Sequence, residues 1–148
     1  MKRVTRTITL IVVLALMISC LGGTAFAASA PEPDRPQASP TLTGYSVVLK
    51  SGDNRGELDI TFDVTATGKA SSLGVSYIKI YKEGSTTPVT IYGTTANGLK
   101  SSGFSYAYTY TYSGATSGAN YYAVVAVSAQ IGTTFDSRTL TTRTVTAP

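Results

Sequence analysis

The 148-residue chain has no histidine, no tryptophan and one cysteine, Cys20. Without histidine there is no Ser-His-Asp triad, no Cys-His pair and no imidazole for zinc or haem. A lone cysteine cannot form an internal disulfide, so the fold must hold by packing. Charge is also sparse, at 14% of residues. No long apolar run reaches the ~20 residues of a comfortable membrane span. No segment of 20–50 residues repeats, which sets solenoids and propellers aside.

The first 27 residues read as an export signal. Lys2, Arg3 and Arg6 precede an apolar run from Ile8 to Leu21. Gly22 and Gly23 then interrupt it before Ala25-Phe26-Ala27, whose small residues at −3 and −1 fit a signal peptidase. The expectation is cleavage after Ala27 and an extracellular, secreted product. The competing reading is a lipoprotein signal, Met17-Ile18-Ser19-Cys20, with a membrane anchor through Cys20. Removing Lys2, Arg3 and Arg6 takes the 12 basic residues to nine against eight acidic ones, a net of +1. The basic character of the full chain therefore belongs to the signal, and no nucleic-acid partner is expected.

Residues 28–40 carry four prolines and little to bury, as expected of an extended linker. From 41 to 148 the chain reads as a single β domain. Its ten tyrosines and many threonines favour pleated, half-buried surfaces, while glycine and serine supply turns. Tyr45, Val47 and Leu49 alternate, then Ser51–Gly56 turns the chain into Leu58, Ile60, Phe62 and Val64. Gly68–Ser72 reads as a loop before a third strand, Val75–Lys82, and Pro88 limits Val89–Tyr92 to a short edge strand. Phe104, Tyr106, Tyr108, Tyr110 and Tyr112 occupy every second position of the next strand, and this even face is expected to join the core. The run Tyr121–Ala129 is the most continuous apolar segment, as for a central strand, and a Thr-rich strand, Thr133–Thr144, ends the set at an edge. No 3.6-residue period appears, so no helix is expected.

The run Tyr121-x-Ala123-x-Val125-x-Val127-x-Ala129 resembles the sixth strand of fibronectin type III and related immunoglobulin-like domains. In those domains a tyrosine near the start of this strand forms a tyrosine corner. The resemblance implies an all-β sandwich of about seven antiparallel strands. The second strand lacks the usual tryptophan, and Phe62 stands in its place. Residues 41–146 are also similar to small secreted proteins of Gram-positive bacteria, through Leu73-Gly74-Val75 and the Tyr121-Tyr122 opening. Neither resemblance implies an activity.

Catalysis is not expected. Asp59 and Asp63 lie four apart on one strand face, ~13 Å at ~3.3 Å per residue, wider than the ~5–9.5 Å of glycosidase pairs. Asp53-Asn54-Arg55-Gly56-Glu57 has oxygens that suit calcium, but it is also what a tight hairpin turn requires. Lys50-Ser51 and Lys100-Ser101 fall in expected loops and lack the burial that activates a lysine. No metal site and no cofactor is expected.

Strand parity singles out a surface. If Ile78 and Ile80 face inward, Tyr77, Lys79 and Tyr81 face outward. If Tyr121, Ala123, Val125 and Val127 face inward, Tyr122, Val124 and Ala126 face outward. With the two strands as neighbours, Tyr77, Tyr81, Tyr122 and Val124, with Lys79 at the margin, form a ligand-binding patch. The expected protein is a monomeric, non-catalytic binding module for an extracellular glycan or protein. The alternative is a self-associating structural surface protein, pairing through the Thr-rich last strand or the Pro88 edge.

Overall fold

The computed structural model describes residues 40–148. The expected signal peptide, Cys20 and the linker up to residue 39 lie outside the described residues. The described chain is all-β: β1 (Leu42–Ser51), β2 (Leu58–Lys82), β3 (Val89–Tyr92), β4 (Lys100–Tyr112), β5 (Asn120–Ile131), β6 (Thr134–Thr141) and β7 (Val145–Thr146). All pairings are antiparallel, and the seven strands are joined in one sheet. No helix among the described residues is long and apolar enough to cross a membrane.

The strand that organises the fold is β2, 25 residues long. Its first half, Leu58–Thr65, has β1 on one side and β4 on the other. Its second half has β3 on one side and β5 on the other, and β6 extends the sheet beyond β5. Side chains from both halves meet in one cluster that includes Leu58, Ile60, Phe62, Val64, Leu73, Val75, Ile78, Ile80, Val125 and Val127. A strand that changes neighbours midway while keeping one shared core is compatible with a β-sandwich. Fully burying each such side chain contributes about 1.5–3 kcal/mol, so this cluster dominates stability.

Gly68–Ser72 is strand rather than loop. Its small residues read as a turn, but the backbone there keeps partners: Ala70 pairs with Gly103, and Ser72 pairs with Gln130. The β2–β4 register shifts between Thr65, Ala70 and Leu73, and such irregularities bend a strand without ending it. Gly74 follows, with φ of 135°, and a Cβ there would overlap the carbonyl of Leu99. Only glycine allows that close crossing.

The even face of β4 joins the core only in part. Tyr106, Tyr110 and Tyr112 are half-buried against the cluster, whereas Tyr108 and Phe104 are exposed. The parity was right, since Tyr108 pairs with Phe62 and Tyr106 with Val64. What parity omits is that, among the described residues, β4 has a neighbour on one side only. Phe62 sits at the centre of this packing, fully buried, with the Tyr106 ring edge-on at 5.8 Å. By contrast β5 is central, and Tyr121, Ala123 and Val125–Ala129 are all buried.

Tyr121 is anchored at the start of β5. Its phenolic oxygen accepts the backbone N–H of Thr116 at 2.8 Å, tying the turn after β4 to the core. Burial pushes its pKa up, but hydrogen bonds from Thr116 and the charge of Lys82 together outweigh burial and leave it lowered. Tyr112, at the other end of the same turn, is raised by burial first, then by the neighbouring phenols of Tyr121 and Tyr110.

Candidate functional site

The outer face of β3, β2 and β5 gathers the five residues singled out by parity. The alternation is not continuous: β2 has a bulge between Val75 and Tyr77, which lets both Val75 and Ile78 face the core. From Tyr77 onward the pattern is regular. Tyr77 pairs with Ala126, Lys79 with Val124, and Tyr81 with Tyr122. Directly paired residues share a face, so these side chains form two adjacent columns.

Their geometry differs from a flat, fully exposed platform. All five are half-buried, because each covers the flank of its cross-strand neighbour. The Tyr81 and Tyr122 rings stack, with centroids 5.0 Å apart and planes 4° from parallel. The stack uses one face of each ring, leaving the outer face, the ring edges and the hydroxyls for contact. The Lys79 ammonium lies 5.2 Å from the centroid of the Tyr77 ring, an attraction worth about 0.5–1 kcal/mol at an exposed site.

Sequence reasoning missed Tyr92. It pairs directly with Tyr77 across the β2–β3 hairpin, so it extends the same face, and at 72% exposure it is the most accessible large apolar side chain described. Thr90 pairs with Lys79 on one flank, and Thr139 and Thr141 of β6 pair with Ala126 and Val124 on the other. The signal in the sequence was Val89–Tyr92 itself. Which residue met Tyr77 depended on hairpin register, which the Gly84–Thr87 turn does not declare.

The other polar groups singled out in the sequence make hydrogen bonds within the fold. Glu57 Oε2 accepts from the backbone and side-chain nitrogens of Asn54, at 3.2 and 2.8 Å, and closes the β1–β2 hairpin turn. Asp59 accepts from the Thr111 hydroxyl at 2.7 Å, on the solvated face of β2 and β4. Among the described residues no group of three or more metal-ligating side chains converges. No family model, curated protein or solved structure matches the chain.

Proposed function

We propose that this chain is an exported, non-catalytic β-sandwich of fibronectin type III-like connectivity that binds a cell-surface glycan or protein. The contact surface is the outer face of β3, β2 and β5, with Tyr77, Lys79, Tyr81, Tyr92, Tyr122 and Val124. Two features support the connectivity. The halves of β2 take separate partners, β1 and β4 against β3 and β5, as two consecutive strands of a sandwich would. The Tyr121 hydroxyl, bonded five residues upstream at Thr116, matches the tyrosine-corner arrangement of immunoglobulin-like domains. The charged, apolar and small-residue succession of residues 1–27 supports export, with Cys20 as the alternative anchor.

The observation that carries the binding reading is Tyr92, left 72% exposed beside Tyr77 and continuous with the Tyr81–Tyr122 stack. Aromatic side chains with hydroxyl-bearing neighbours offer apolar contact at low entropic cost and hydrogen bonds at the rim. The test uses an insoluble Gram-positive cell-wall preparation, immobilised glycans and an array of surface proteins as probes. The Tyr77→Ala/Tyr122→Ala double variant and Tyr92→Ala are each expected to lose at least ~10-fold in retention, as residues at a contact centre do. Retention equal to the unsubstituted protein in both variants removes this face from the account.

A further inference from the structure

Among the described residues the sheet has four edges, formed by β1, β3, β4 and β6 with β7 continuing the β6 edge, and they are not equally protected. On β1 the register is bulged between Leu42 and Gly44. Val47–Leu49 and the Thr142–Arg143 link line a shared cleft of about 300 Å³, and the Ser51 hydroxyl donates to Thr146 O at 3.4 Å. β3 is four residues long and follows Pro88. On β6, Asp136 and Arg138 lie opposite the buried Ala129 and Val127, and their ion pair spans 3.1 Å. Bulges, brevity, proline and inward charge are the usual devices that keep edges from pairing.

β4 has none of these along its regular stretch. Ser105–Tyr112 runs in unbroken register against Thr65–Leu58, about 27 Å at ~3.4 Å per residue. Among the described residues its other side pairs with nothing. No charged residue and no proline occurs from Ser101 to Ser113. No residue of β4 is buried, and Phe104 and Tyr108 are 61% and 39% exposed.

We propose that the protein forms a two-fold symmetric dimer by antiparallel pairing of β4 with β4 of a second copy. The two-fold axis of such a pair stands perpendicular to the sheet, so both inner faces stay on one side. Tyrosine then meets tyrosine on the inner face and threonine meets threonine or alanine on the solvated one. Aromatic and Thr–Thr cross-strand pairs are among the favourable ones. An uncharged, self-complementary strand suits a copy of itself better than a charged peptide. Each molecule has one such edge, so association closes at two copies and does not propagate. The contact is smaller than the ~800 Å² per partner of a standard interface, so the dimer is a weak one.

Sedimentation velocity over a concentration series tests this with the exported protein, collected after removal of the signal. A monomer–dimer equilibrium is expected, with hydrogen exchange slowing at amides of Ser105–Tyr112 as the dimer fills. Thr109→Lys is expected to weaken association at least ~10-fold, because it places like charges at or beside the axis. The fold tolerates that change: Thr109 pairs with Thr61, and Asp59 and Asp63 flank it on the same face. Unchanged circular dichroism and urea midpoint verify this. Thr139→Lys on β6 leaves association unaltered, as does Tyr77→Ala/Tyr122→Ala, which separates this proposal from the binding reading. A monomer at all concentrations up to about 1 mM, growth beyond two copies, or a dimer indifferent to Thr109→Lys overturns it.

Discussion

β4 and β5 are nearly equal in length, 13 and 12 residues. Yet β5 buries most of its residues and β4 buries none. The difference is the number of neighbours. β5 lies between β2 and β6, so both of its flanks are covered. Among the described residues β4 lies against β2 alone, and Tyr106, Tyr110 and Tyr112 lid the core from one side. Alternation tells which face a side chain takes, and neighbour count tells how deeply it is covered.

A charge inserted in each strand is the strongest way to break this contrast. Val125→Asp places a carboxylate at a fully buried position between Ile78 and Leu140, and is expected to cost more than ~4 kcal/mol in urea unfolding. Thr109→Lys on β4 is expected to stay within about 0.5 kcal/mol by the same measurement. Similar losses at both positions would end the distinction.

Removing one hydroxyl from each strand gives a smaller effect. Tyr121→Phe leaves the Thr116 N–H without its 2.8 Å acceptor and is expected to cost about 1–2 kcal/mol. Tyr106→Phe removes a 2.7 Å bond to the carbonyl of Gly98, which water can replace at this half-buried edge, so the cost is expected below about 1 kcal/mol. Equal urea midpoints for the two variants would show that the corner contributes nothing special.

The smallest effect is a pH dependence with opposite signs at the two ends of the Ser113–Ala119 turn. Tyr121 is lowered in the fold, so the stability linked to its ionisation is present above pH 10 and lost as pH falls through its folded value. Tyr112 is raised, so its contribution is complete below pH 10 and lost as pH rises through its folded value. Urea unfolding across the alkaline range is expected to lose the rising limb in Tyr121→Phe and the falling limb in Tyr112→Phe. Parallel profiles for all three proteins would contradict both assignments.

Much of this was legible before any coordinates. The dry face of Leu58–Val64, the inward Ile78 and Ile80, and the buried Tyr121 followed from period-two alternation. Tyr77, Lys79, Tyr81, Tyr122 and Val124 share a face for the same reason. The continuity of β2 through Gly68–Ser72 was hidden, because glycine and serine mark turns and also permit bends. Tyr92 was hidden by hairpin register. For self-association the sequence points to the last strand and the Pro88 edge, and the sheet adds β4, an edge with no charge or proline from Ser101 to Ser113.

That the described chain is all-β, and which side chains of Leu58–Val64 and Ile78–Tyr81 turn toward or away from its interior, is written in the residues themselves. Both are local consequences of a backbone whose side chains alternate every residue. Which of the described strands have two neighbours and which have one is set by packing between distant segments. That packing also sets which tyrosines stack, and where, among the described residues, a row of backbone groups pairs with no other strand. Those depend on contacts between residues distant in the chain, and a two-residue period carries no information about them.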